Sequence, residues 1–382
     1  MNSGEVCGLH WATARPTRLS WEEGIIRKLE PGPRELPENV WLAPPLFDMQ
    51  VNGFGGVDFQ RDDLSAADLS RAVHALRLAG CGRFLLTLTT AEWPRLTARL
   101  ARAAALRAES EDLQSAIAGW HIEGPFLSPM PGFHGAHNPA LMLDPAPEKI
   151  RALRALTGND PLLLTIAPER PGALDAIGLA VALGLKVSLG HTDASTETIH
   201  AAVQAGATGF THLGNGCPRE LDRHDNILWR VLDESGLIVS LIPDRIHLSA
   251  SLFRLIHRVM PAESIVYVSD AMAAAGAAPG RYTLGALELE VGADQIVRQP
   301  GRTNFAGSAL RPIEGIFRAA AMLDVPWREL WRRMSDLPTR FMGLSHELAV
   351  DRPATFCLLT QNAGRRDADL RFFARGRECL TS

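Results

Sequence analysis

Apolar residues change their spacing along the 382-residue chain at Pro44-Pro45. Residues 1–43 are short, polar, proline-punctuated segments in which 17–20 and 24–28 read as strands. From Leu46 onward, short continuous apolar runs alternate with stretches whose apolar residues recur every three to four positions. The runs are 46–51, 83–89, 117–122, 162–166, 186–189, 209–213, 237–242 and 265–269; helical spacing appears at 65–78, 91–109, 148–155 and 252–259. Strands separated by helices form a parallel sheet. Eight repeats over roughly 225 residues predict an α/β fold of the (β/α)₈ type, a TIM-like barrel. An open doubly wound sheet is the alternative, but it usually carries a glycine-rich phosphate turn after its first strand, and GFGGVDF at 53–59 matches that turn only loosely. Helices are predicted at 311–323, 327–335 and 338–342, and strands again at 354–359 and 370–374. Strand-rich ends on either side of a barrel predict a small β-sandwich domain built from residues 1–43 and 345–382, beside a barrel of residues 44–344.

Within the barrel, the segment 186–217, KVSLGHTDASTETIHAAVQAGATGFTHLGNGC, reads as strand, helix, strand. Asp193 or Ser195 can cap the helix. Ile199, Ala202 and Val203 fall at helical spacing, and Gly206 stops it. His191 follows the first strand and His212 lies near the end of the second, so parallel strands bring both imidazoles to one edge. Two such histidines are either a metal pair or a hydrogen-bonded pair in the core. The other strand ends weigh on the choice, because barrels of this kind carry their chemistry there. Strand one ends with Gln50 and Asn52 on one face, and strand three with His121 and Glu123 likewise. Strand seven leads to Asp244-Arg245-Ile246-His247, and strand eight ends Ser269-Asp270. Two histidines and a glutamate with an open fourth position form a catalytic zinc arrangement, and Asp270 would carry protons. Four such groups at one mouth favour chemistry over packing.

Composition narrows the partners. Hydrophobic residues make up 46% and charged residues 21%, as in an ordinary globular chain, and the net charge of −4 offers no attraction for nucleic acid or an acidic membrane. Five scattered cysteines without a CxxC pair suit a reducing, cytoplasmic compartment. The first residues lack the apolar stretch of a secretory leader, and no apolar run is long enough to cross a bilayer.

The segments HIEGPFLSP (121–129), GAHNP (135–139), GHTDAS (190–195), THLGN (211–215), SDAMAAAG (269–276) and FAGSAL (305–310) together resemble the N-acetylglucosamine-6-phosphate deacetylases of the amidohydrolase superfamily. The likeness spans about residues 44–320, and the chain ends resemble that family's small β domain. It implies hydrolysis of the acetamide of N-acetylglucosamine 6-phosphate by a homodimer with one divalent ion, Zn²⁺, per chain. By the same resemblance Glu123, His191 and His212 hold the metal, and Asp270 is the catalytic acid and base. Ala136, His137 and His247 contact substrate, Asn215 and Gly216 cradle the sugar phosphate, and Phe305, Ala306 and Gly307 form a wall. Arg223 resembles an arginine that reaches the neighbouring subunit's phosphate. Many amidohydrolases carry two histidines at the end of strand one and bind two metals; Gln50 and Asn52 stand there, and carboxamides are poor zinc ligands. His247 or His137 is placed to bond the developing oxyanion or the sugar hydroxyls.

Departures cluster where the sugar phosphate would sit. Gly214 replaces a bulky aromatic, Gly216-Cys217 a small-plus-methionine pair, and His224-Asp225-Asn226 an EPG triplet; Pro243 and Arg245 replace small residues. They keep open another N-acyl amino sugar, such as N-acetylgalactosamine 6-phosphate or an unphosphorylated sugar. A different small amide and a non-catalytic carbohydrate-sensing relative are further alternatives. His121 is expected to be packed behind the ligands. His10, His74, His200, His257 and His346 are expected to be structural or exposed. Cys217 has no base to activate it.

Overall fold

In the computed structural model of the chain, residues 2–36, 39–301, 305–345, 348–361 and 367–380 are described; His346 lies outside them. Eight parallel strands follow one another in hydrogen-bonded order: β1 (Leu46–Val51), β2 (Cys81–Thr89), β3 (Ile117–Glu123), β4 (Leu162–Ile166), β5 (Lys186–Leu189), β6 (Gly209–Phe210), β7 (Ile238–Leu241) and β8 (Ile265–Tyr267). A parallel bridge joins Val51 to Ala271, and the Asn52 N–H donates to the Ala271 carbonyl at 2.7 Å. These contacts return the last strand to the first, so the sheet is a closed barrel rather than an open one.

Local chemistry sets the intervening helices. Ser65 and Asp68 cap Ala66–Leu78 reciprocally, each side chain accepting the other's backbone N–H. Between β5 and β6, Ser195 rather than Asp193 caps helix Thr196–Gln204, and Gly206, at φ +106°, turns the chain out of it. Ile199 and Ala202 are buried against the sheet, while Val203 is half-buried.

Every residue of β1 and β3 is buried, as a strand with core on both faces requires. Leu86, Leu88, Trp120, Ile122, Leu164, Val187 and Leu189 face the helices. The barrel interior is apolar at one end, where Phe47, Met49, Leu85, Ala118, Leu163, Val266 and Val268 pack against Leu337, Phe341 and Met342 of the C-terminal helices. Towards the other end it turns polar. His121 Nε2 lies 2.8 Å from Thr165 Oγ1, Thr165 bonds Thr211 at 2.8 Å, and Thr211 donates to Ser188 Oγ at 2.8 Å. The plugged end leaves the carboxyl ends of the strands as the place for chemistry.

Both chain ends contribute to a separate seven-stranded sheet, ordered Arg377–Cys379, Ala368–Ala374, Phe356–Gln361, Val40–Ala43, Gly4–His10, Pro16–Glu22 and Ile25–Pro31. Its own core holds Leu19, Trp21, Ile26, Leu42, Phe356, Leu358 and Phe373. A further three-stranded sheet, Gly280–Leu284, Leu287–Val291 and Val297–Arg298, lies between β8 and helix Pro312–Leu323 in the chain; the apolar pattern does not foretell it, because its strands intersperse exposed polar residues with buried ones and offer no continuous apolar run.

Candidate active site

Glu123 closes β3, His191 follows β5 after Gly190, His212 follows β6, and Asp270 follows β8. His191, His212 and Asp270 take left-handed backbone, with φ +49°, +32° and +50°. Non-glycine residues persist in that region when their surroundings over-determine it, typically at functional sites. Bonds from neighbouring segments restrain two of them: the His212 N–H donates to Ser240 Oγ on β7 at 2.7 Å, and the Ser308 N–H, from the segment bridged to Ala271, donates to the Asp270 carbonyl at 2.9 Å.

Glu123, His191 and His212 are all buried, and one ligand atom of each lies within 4.8 Å of the other two. Glu123 Oε1 is 2.8 Å from His212 Nε2 and 3.5 Å from His191 Nε2. The Phe133 carbonyl, 2.8 Å from His191 Nδ1, makes Nδ1 the protonated nitrogen and leaves Nε2 for the centre. Two glycines seat the same ring. A Cβ on Gly135 would come within 2.9 Å of its Cε1, and one on Gly216 within 2.7 Å of its Nδ1. Burial opposes charge on Glu123, yet its bonds with His191 and His212 hold its carboxyl well below the ordinary range. Burial lowers His212 while Glu123 raises it, and the net shift is upward. An anionic oxygen and two imidazole nitrogens converging in a buried pocket fit one divalent cation of the kind that takes nitrogen and oxygen ligands.

The carboxamides at the end of β1 donate to the two carboxylates. Gln50 Nε2 bonds Glu123 Oε1 at 2.9 Å, and Asn52 Nδ2 bonds Asp270 Oδ1 at 2.7 Å. Burial and the charge of Glu123 push Asp270 up to about 6, which suits a group that takes and returns a proton near neutrality.

His137 also reaches this centre. Its ring stands 4.6 Å from that of His191, and its Nε2 is 3.9 Å from Glu123 Oε2. Burial, then the neighbouring His191, pushes it down to about 3, so it is neutral. His247 packs 5.1 Å from the Phe305 ring. Ala306 is buried, and Gly307 fits at φ +70° because a Cβ there would meet the Asp270 carbonyl and Met272 at 3.3 Å. Ala136 packs on the Met272–Ala274 cluster beside this wall. Asn215 is half-buried and donates to the His212 carbonyl at 3.2 Å. Arg223 does not join the buried group; it lies on the exposed 222–225 stretch, its carbonyl accepting from Trp229. Gly214 is at φ +93°, and Leu248 occupies the space its side chain would need, 2.4 Å from where a Cβ would stand. Burial pushes the Cys217 thiol up to about 11, which leaves it a poor nucleophile.

Two residues at the site are not foreseen in the sequence. The Thr90 hydroxyl lies 2.9 Å from His137 Nδ1, and Asp244 Oδ2 lies 2.6 Å from His247 Nδ1. The Asp244 contact has a local signal, an aspartate three residues before a histidine in a turn; Thr90 has none, since it is distant in sequence from His137.

A barrel with two histidines and a glutamate at its carboxyl mouth, backed by an aspartate after the eighth strand, is the frame of a metal-dependent amidohydrolase. No protein-family model matches the chain. It is 30% identical over 309 residues to N-acetylglucosamine-6-phosphate deacetylase of Vibrio furnissii, covering 81% of this chain and 75% of that one. It is 30% identical over 345 residues to N-acetylgalactosamine-6-phosphate deacetylase of Escherichia coli O157:H7, covering 90% and 89%. A solved structure of a Mycobacterium smegmatis N-acetyl-D-glucosamine-6-phosphate deacetylase mutant, in complex with N-acetyl-D-glucosamine-6-phosphate, superposes with a TM-score of 0.85 at 28% identity, covering 96% of this chain and 95% of that one. The chain belongs to the N-acetylglucosamine-6-phosphate deacetylase family of the amidohydrolase superfamily.

Proposed function

We propose that the chain removes the acetyl group from N-acetylglucosamine 6-phosphate, giving glucosamine 6-phosphate and acetate, with one zinc ion held by Glu123, His191 and His212. The observation that carries this reading is the convergence of those three buried groups beside Asp270. The substrate follows the family and the similar complex with N-acetyl-D-glucosamine-6-phosphate. Residues 44–344 form the hydrolase domain and the two chain ends the small domain. The protein works in the cytoplasm as a homodimer, in which exposed Arg223 reaches the partner's sugar phosphate.

An amide resists water because its carbonyl is weakly electrophilic and its amine leaves poorly. A divalent ion in the three-residue site supplies Lewis-acid polarisation and a more acidic water. Asp270, aimed by Asn52, takes the attacking water's proton and returns it to the departing nitrogen. Gln50 steadies Glu123. His247 and His137 bond the substrate's oxygens, Ala136 lines the pocket beside them, Asn215 and Gly216 cradle the phosphate, and Phe305, Ala306 and Gly307 exclude water from one side.

The N-acetylgalactosamine 6-phosphate reading stands second, favoured by the longer match to the Escherichia coli relative and by the changed residues Gly214, His224, Asp225 and Arg245. Acetate release should be measured from both sugar phosphates and both unphosphorylated sugars with zinc-loaded protein. Release should be fastest from N-acetylglucosamine 6-phosphate. Preference for the galactose epimer selects the second reading, and release from none of the four defeats both.

A further inference from the structure

Asp244 is 3% exposed, and its two carboxylate oxygens make different bonds. Oδ1 accepts the backbone N–H groups of Ile246 and His247, each at 2.8 Å. Oδ2 is 2.6 Å from His247 Nδ1. Burial opposes charge on Asp244, but the bond from His247 and those from the backbone hold its carboxyl below the ordinary range. An ionised carboxylate only accepts, so Nδ1 must carry a hydrogen and Nε2 is the nitrogen left for other partners. The turn is braced from outside: Arg318, on helix Pro312–Leu323, donates to the Asp244 carbonyl at 3.2 Å, and Arg245 is held at φ +64°. His247 itself lies against Phe305 and close enough to Asp270 to lower that group electrostatically. His137 offers the contrast. Its Nδ1 meets a hydroxyl, which can donate or accept and carries no charge.

We infer that Asp244 is a positioning residue for the deacetylation: it fixes His247 as the Nδ1–H tautomer and balances positive charge on that ring, so that Nε2 faces the substrate able to accept or to donate a proton. The inference rests on the reading of His247 as a substrate contact. It also separates the two histidines that the sequence leaves equivalent. His247 has a carboxylate behind it to offset charge as the substrate's oxygen becomes negative, whereas His137 has only the Thr90 hydroxyl.

Asp244→Asn separates the tautomer from the turn. The amide oxygen continues to accept both backbone N–H groups, because a reversed amide would aim its NH₂ at two donors and leave them unpaired. The NH₂ then faces Nδ1, which must accept, and the ring hydrogen moves to Nε2. Nitrogen NMR of zinc-loaded protein with isotope-labelled histidine reads this directly, the His247 signals being assigned by their loss in His247→Gln. The parent should show a protonated Nδ1, and Asp244→Asn a protonated Nε2. In the variant kcat should fall by on the order of 10²-fold or more, as expected when a histidine is left in the wrong tautomer, and KM should change less than kcat. Adding Asp244→Asn to His247→Gln should cost little beyond His247→Gln alone. A parent spectrum with unprotonated Nδ1 overturns the inference, whether or not the variant folds. A switched tautomer with unchanged kcat overturns it too, because Asp244 would then set the ring hydrogen without serving the reaction; acetate release by the parent in the same assay keeps that result distinct from a failure of the proposed activity.

Discussion

Gln50 and Asn52 look like vacancies where ligating histidines might be sought, yet each has a defined partner. A hydrogen bond to a charged group contributes about 1.5–3 kcal/mol, and groups that orient a metal ligand typically govern affinity by 10–100-fold. Gln50→Met should therefore weaken zinc binding by roughly that factor, read by competition with a chelator of known affinity; unchanged affinity would show that Glu123 needs no such support. Asn52→Leu should leave metal affinity alone and lower kcat by about 10-fold or more, the kinetic equivalent of losing one bond to Asp270. An unaltered kcat would mean Asp270 is held well enough without it. The residue types and their shared face are legible in the sequence. Their partners are not: Gln50 and Glu123 are 73 positions apart, and Asn52 and Asp270 are 218 apart. Such pairs exist only once the barrel has closed.

Among the elements, the continuous apolar runs locate β1, β4 and β5 to the residue. The sixth run, 209–213, pairs as a strand only over Gly209–Phe210, because His212 leaves the extended conformation to reach the mouth. The site itself shortens the strand. Strand Gly4–His10 escapes notice because it mixes polar with apolar residues, and Val40–Ala43 because it is only four residues long and gains one of its partners, Phe356–Gln361, from the far end of the chain. Helix Ala250–Val259 carries a separate consequence. His257 meets Tyr267 Oη at 3.0 Å, and burial, then Arg333, pushes it down to about 3. A histidine unfolded at about 6.5 binds a proton that the folded chain refuses. Its contribution is thus complete above about pH 6.5 and is lost as pH falls toward 3. Between pH 6.5 and 5 the loss is at most about 2 kcal/mol, discounted for partial exposure of the ring. Urea midpoints at pH 7.5 and 5 should fall further apart for the parent than for His257→Gln. Equal separations would mean that His257 titrates normally when folded.

For the whole molecule, the barrel is legible because eight alternations leave few other ways to bury so many apolar strands. The small domain is legible as strand-rich ends, though not as one seven-stranded sheet. Ligands drawn from β3, β5 and β6 tie distant parts of the chain through one centre, so a bound ion should stabilise the fold by mass action. At a free ion concentration 100 times its dissociation constant the gain is about 2.7 kcal/mol. Thermal unfolding of zinc-loaded protein should therefore come several degrees above that of chelator-stripped protein, and coincident curves would place the ion outside the folded core.

The central claim, that Glu123, His191 and His212 hold a single ion while Asp270 works beside it, is tested most directly by counting divalent metal per chain. Protein purified without chelator should carry about one equivalent, and Asp270→Asn should keep it while turning over on the order of 10²–10⁴-fold more slowly. Two tightly bound ions in the parent, none at all, or loss of the ion with Asp270 would contradict the account.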